Sequence, residues 1–302
     1  MAYRASAACS LVASSLAASL AIHAQHPASG DLDGIWTYAT MTPLERPRDL
    51  AAKASLTPAE AADYERQTLE RQTATNNTAG PDWWDPGTRF LTNGRTSLIV
   101  DPSDGRIPPL TPEAQQRAAA RTQARRARGP ADGPEDRALN ERCLNWSVAG
   151  PPMLPGVYNN NVQIVQTRDY VAIASEMIHD ARIVPMDGRA HDTVPRWMGD
   201  SRGRWEGSTL VVDTTGFTEK TAFRGSTGHL HLVERFTRVD ADTVEYRFTA
   251  EDPSTWSRAF TGMFPMKKTA GPIYEYACHE GNERSMVGML RGARAQEPPN
   301  QP

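Results

Sequence analysis

Residues 202–215 read RGRWEGSTLVVDTT: a short strand as far as Trp205, a turn at Glu206-Gly207-Ser208, and a strongly alternating strand from Thr209 to Thr215. Period-2 alternation broken by a glycine turn is the signature of a β-hairpin. The same pattern recurs on both sides. Stretches 162–167 and 170–179 form a hairpin across Arg168-Asp169, and 229–238 and 243–249 form another across Val239–Asp242. Stretches 258–267 and 273–279 read as closing strands. Consecutive antiparallel strands with short connections predict a mainly β protein, an up-and-down, lipocalin-like barrel or a strongly curled sheet, because closure removes exposed strand edges. The meander occupies 151–292, and 293–302 is expected to be a disordered tail.

Upstream, 25–150 reads as an irregular wrap carrying two helices and packed on the barrel. Residues 31–41 give a first strand and 97–100 another. Thr57-Pro58-Ala59-Glu60 opens a helix running to about 73: Thr57 caps, Pro58 suits the first helical position, and Glu60 reaches back as a capping-box carboxylate. Thr111-Pro112-Glu113 opens a second helix with Arg117, Arg121, Arg125 and Arg128 along one stripe, which reads as a solvated face. The 23 prolines and 22 glycines imply much ordered loop between these elements.

The N-terminus places Arg4 before an apolar run from Leu11 to Ile22, with Ala24 preceding a polar stretch. This is the layout of a cleaved secretory signal over 1–24, and no later stretch is apolar enough for a spanning helix. An exported location, periplasmic or extracellular, is expected. Removing the signal takes Cys9 with it and leaves Cys143 and Cys278, which are expected to pair in an oxidising compartment. The net charge of −3 gives no footprint of a nucleic-acid binder.

The run W-E-G-S-T-L-V-V-D-T (Trp205–Thr214), Glu234-Arg235-Phe236, Asp252-Pro253 and E-Y-x-C at Glu275–Cys278 together resemble a widespread family of secreted, largely uncharacterised bacterial proteins. The resemblance covers roughly 90–292, and Ser208 stands where that family usually has Asp. It implies kinship and export; it carries no activity.

Alternation then assigns side chains to faces. A two-residue turn at Arg168-Asp169 pairs Ile164 with Ile173, so Val162, Ile164, Val171, Ile173, Met177 and His179 share one apolar face, with His179 and Asp180 at its rim. A four-residue loop after Arg238 pairs it with Thr243 and turns His231, Val233 and Arg235 inward with Val244, Tyr246 and Phe248. Glu234 then faces outward opposite Arg247; a one-residue slip would send Glu234 inward with Leu232 and Phe236.

An apolar interior with convergent imidazole and guanidinium groups suits a small-molecule site. The leading expectation is a cofactor-independent lyase or isomerase acting by acid–base chemistry on a small aromatic or lipophilic substrate. His231 is the acid or base, Arg235 the anion clamp, and His179 or His279 a second proton-transfer group. Tyr158, Tyr246, Phe248 and Asp180 are expected to contact the substrate. A non-catalytic ligand carrier is the alternative. A metal-dependent hydrolase using His179, His191, His229, His231 and His279 is a third reading. No tight ligand spacing occurs among them, so no metal or other cofactor is expected.

Overall fold

Ten antiparallel strands curl into a nearly closed barrel in the computed structural model, which describes residues 30–75, 87, 89–129, 131–146, 148–220 and 223–296. The expected signal segment and residues 297–302 of the expected tail lie outside the described residues. In chain order the strands are β1 (Gly34–Thr37), β2 (Ile99–Asp101), β3 (Asn161–Gln166), β4 (Tyr170–Ser175), β5 (Ala181–Pro185), β6 (Asp200–Glu206), β7 (Thr209–Thr215), β8 (His231–Asp240), β9 (Thr243–Glu251) and β10 (Phe260–Lys268). Hydrogen-bonded neighbours run β5-β4-β3-β1-β10-β9-β8-β7-β6, with β2 added to β10.

Every step along that path is antiparallel. Nine strands related this way leave the two ends, β5 and β6, pointing in the same direction. They lie side by side without a backbone ladder, so the barrel has a parallel seam. Parallel neighbours cannot be joined by a tight hairpin and need a crossover of roughly a dozen residues or more. Residues 186–199 supply it. Gly203 makes the approach possible: a Cβ there would lie 2.9 Å from Val184 Cγ1 and inside contact distance of Met186 Sδ.

The interior is packed. Trp36, Val162, Ile164, Phe236, Tyr246, Phe248, Phe260 and Phe264 are fully buried, and Met153 and Leu154, from the segment before β3, fill the space among them. The barrel therefore encloses side chains rather than a ligand chamber.

The first hairpin matches its sequence reading: Ile164 pairs with Ile173 and Gln166 with Val171. The hairpin over 202–215 also forms, but its turn is one residue shorter than read: Glu206 ends the strand and pairs with Thr209 across Gly207-Ser208. Helices α1 (Pro58–Thr75) and α2 (Pro112–Arg126) form as expected. The Thr57 N–H donates to Glu60 Oε2 and the Glu60 N–H to Thr57 Oγ1, at 3.0 and 3.3 Å, completing the capping box. Thr111 caps α2 through the Ala114 N–H.

Three expectations are corrected. The strand expected over 170–179 stops at Ser175, because positive φ at Ile178 and His179 turns the chain into β5. The segment 273–279 is not a strand; β1 completes that side by entering between β10 and β3. The chain also forms a third helix, α3 (Asn282–Ala295), where the end of the meander and the start of the tail were expected.

A fourth correction governs the interior. The β8–β9 turn is only Ala241-Asp242, and a bulge at Val239 pairs Asp240 with Thr243 and Arg238 with Val244. One extra residue on one strand reverses the phase of everything beyond it. Leu232, Glu234 and Phe236 therefore point inward and are fully buried, while His231, Val233 and Arg235 point outward.

Candidate functional site

The corrected register replaces the expected interior chemistry. Arg182 on β5 donates to Glu234 Oε2 and Oε1 on β8 at 2.5 and 3.0 Å, both side chains being buried. The Tyr246 hydroxyl donates to Glu234 Oε1 at 2.7 Å and accepts the Met153 N–H at 3.1 Å. Burial works against the Arg182 charge, and the Glu234 carboxylate more than restores it. Burial, followed by that carboxylate, holds the Tyr246 phenol well above its ordinary range. Tyr246 and Phe248 are fully buried in the hydrophobic core, so they face inward as expected but serve as core.

The expected catalytic residues do not converge. His231 lies on the outer face and its Nε2 contacts Asp213 Oδ2 at 2.9 Å. Arg235 is also outside, donating to Glu206 Oε2 at 2.6 Å and facing Arg247 across the strands. His179 is exposed in the turn before β5, and His279 is exposed beside the Cys143–Cys278 disulfide. Tyr158 packs edge-on against Trp146 and stacks on Tyr276, part of a small aromatic cluster near that disulfide. Asn160 and Asn161 bind Gly156 and Glu176 and shape the lead into β3.

Asp180 is different. It lines a cleft of about 710 Å³ along the β5–β6 seam, with walls from Leu144, Ile183, Trp197, Met198 and Arg202. One carboxyl oxygen, Oδ2, is buried without a hydrogen-bond partner. Desolvation pushes the Asp180 carboxyl up to about 6, against the pull of the neighbouring His179. A carboxyl that titrates there, in a concave site, can hold or release a proton near neutrality.

The crossover 186–199 forms the other wall and is anchored by a chain of polar contacts. Asp213 bridges His231 Nε2 and His191 Nε2, the latter at 2.9 Å, and His191 Nδ1 reaches Asp200 Oδ2 at 3.2 Å. Asp200, buried at the start of β6, also accepts from the Asp192 N–H, Arg196 and Arg202. Burial alone would raise the Asp200 carboxyl; these donors outweigh it and hold the group below its ordinary value. Among the described residues no group of three or more His, Cys, Asp or Glu side chains is arranged to hold a metal ion. His179, His229 and His279 stand apart from the His191–His231 chain.

Arg182, Glu234 and the cleft were missed by sequence reasoning. The one available signal was Leu232-x-Glu234-x-Phe236, whose bulky apolar flanks mark the buried phase. The motif residues prove architectural: Glu234 holds the seam, Asp252 collects the Thr227 and Ser254 N–H groups and three hydroxyls, and Cys278 forms the disulfide. No family model, curated protein or solved structure matches this chain.

Proposed function

We propose that this chain is an exported small-molecule protein whose ligand lies in the seam cleft, and that it is a cofactor-independent acid–base enzyme, a lyase or isomerase. The observation carrying the reading is Asp180: a carboxyl with an unpartnered buried oxygen, lifted to about 6, in a cleft with apolar and guanidinium walls. Its carboxylate would take a proton from an activated carbon of a small aromatic or lipophilic substrate. It would return that proton to another carbon, or leave the electron pair to expel a leaving group. Arg202 at the cleft wall offers donors to an oxygen on which negative charge develops. The disulfide agrees with export, as does the resemblance of Trp205–Thr214 to a motif of secreted proteins.

Non-catalytic binding is the second reading, favoured by the packed barrel interior, which leaves only open clefts for a ligand. A panel of small aromatic and lipophilic carbonyl compounds, screened by ligand-observed NMR, separates the two. The enzyme reading expects at least one binder to be converted by wild type and to be bound but unconverted by Asp180→Asn. Binding without conversion supports a carrier, and conversion that survives Asp180→Asn removes Asp180 from the chemistry.

A further inference from the structure

The arginine stripe of α2 divides in two. Arg117 at one end is bound by Glu113 and the Ser254 carbonyl, and Arg128 beyond the other end by Asp136. Arg121 and Arg125 between them have no ion-pair or hydrogen-bond partner among the described residues. Both line a second cleft, of about 560 Å³, between α2 and one end of the barrel.

Facing the two guanidinium groups are aromatic side chains from three separate segments: Trp146 from the segment entering the barrel, Trp197 from the crossover, and Phe217 and Phe223 from the loop after β7. Phe217 and Phe223 belong to the core and form a fixed floor. Trp146 is held edge-on by Tyr158 and Tyr276. Asn145 is 9% exposed and lines the cleft, yet its side-chain amide makes no hydrogen bond to any described residue. Its amide is open to the cleft and free to take a polar group there. The acidic residue in the wall, Glu219, is engaged by the Gly228 N–H, and Lys220 adds a further cation.

We infer that this cleft binds a planar aromatic anion, an aryl carboxylate of one or two rings. The ring lies between Trp146 and Trp197 over the phenylalanine floor, Arg121 and Arg125 take the carboxylate, and Asn145 takes a polar ring substituent. Two guanidinium groups one helical turn apart, at i and i+4, converge on one anion, and aromatic walls suit a flat ring more than an alkyl chain. The site is separate from Asp180, although Trp197 lines both clefts.

The test uses 2-naphthoate and its uncharged analogue 2-naphthalenemethanol, with titration calorimetry and tryptophan fluorescence on the full chain. The variants are R121Q/R125Q, R126Q as a control off the cleft, and D180N. All the substituted arginines lie on an exposed helix face, so folding is retained. Wild type should bind naphthoate saturably and at least about tenfold tighter than the alcohol, and R121Q/R125Q should lose about tenfold or more. R126Q and D180N should bind as wild type does. No saturable binding, equal affinity for the alcohol, or unchanged binding in R121Q/R125Q overturns the inference. A loss confined to D180N would place the ligand in the seam cleft and overturn it as well.

Discussion

Arg182 and Glu234 close the barrel where its backbone does not. Arg182 sits on β5, one end of the hydrogen-bonded path, and Glu234 on β8, two strands in from the other end, so their fork spans the seam from inside. A side-chain pair thus substitutes for the missing ladder.

Removing either partner leaves an uncompensated buried charge. Glu234→Ala or Arg182→Ala should cost about 3–5 kcal/mol, read as a lower urea midpoint. The double replacement Arg182→Met/Glu234→Leu should recover most of that loss, since apolar groups of similar size substitute well for buried pairs. A double variant no more stable than either single would refute the closure role.

Tyr246→Phe removes the hydroxyl that joins Glu234 to the Met153 N–H. A buried donor left unmatched costs about 1–3 kcal/mol. Hydrogen exchange should speed up at Met153, while exchange in the β6–β7 hairpin should stay as in wild type.

Gly203→Ala should destabilise by about 1–3 kcal/mol through overpacking against Val184 and Met186. The Met186 end can move, so Met186→Ala on the same chain should relieve part of the loss. A double-mutant cycle measures that coupling; additive effects would mean the two residues do not share the seam.

For Asp180 the sign follows from its raised folded-state value. Its carboxyl ionises in the unfolded chain from about 3.8 upward, but in the folded chain only near 6. The folded state therefore loses stability across that window, and fully so above it. Asp180→Asn, which cannot ionise, should gain on wild type between pH 4 and 6 and hold the gain above 6. Denaturant midpoints at pH 3.5 and pH 7.5 decide it: an equal difference at both would mean that Asp180 is not desolvated.

Reduction of Cys143–Cys278, which closes a loop spanning 135 residues, should cost about 2–5 kcal/mol. The midpoint of wild type with and without reductant, set against Cys143→Ser/Cys278→Ser, reads this directly. The double variant should be insensitive to reductant.

The hairpin with strict alternation and a two-residue turn was legible: Ile164 opposite Ile173 follows from spacing alone, whereas the next hairpin was found but its turn read one residue too long, since Glu206 pairs with Thr209. The β8 register was not, because apolar residues occupy both phases of His231–Asp240 and the choice rested on a loop length that the Val239 bulge alters. Asp180 was visible as a rim carboxylate. Its cleft was not, because nothing local to Asp180 signals that nine strands must meet in a parallel pair joined by an external crossover. Cys143 and Cys278 were legible from compartment chemistry, since two thiols in an oxidising environment leave one intramolecular pairing.

The first strand of the ring, Gly34–Thr37, takes its place between Asn161–Gln166 and Phe260–Lys268. During synthesis it emerges long before either neighbour and has nothing local to pair with. The later hairpins can zip up by themselves, but the ring waits for contacts between distant parts of the chain, which makes assembly slow. A nascent polypeptide released before residue 260 would carry a bare edge at its centre, prone to joining another copy.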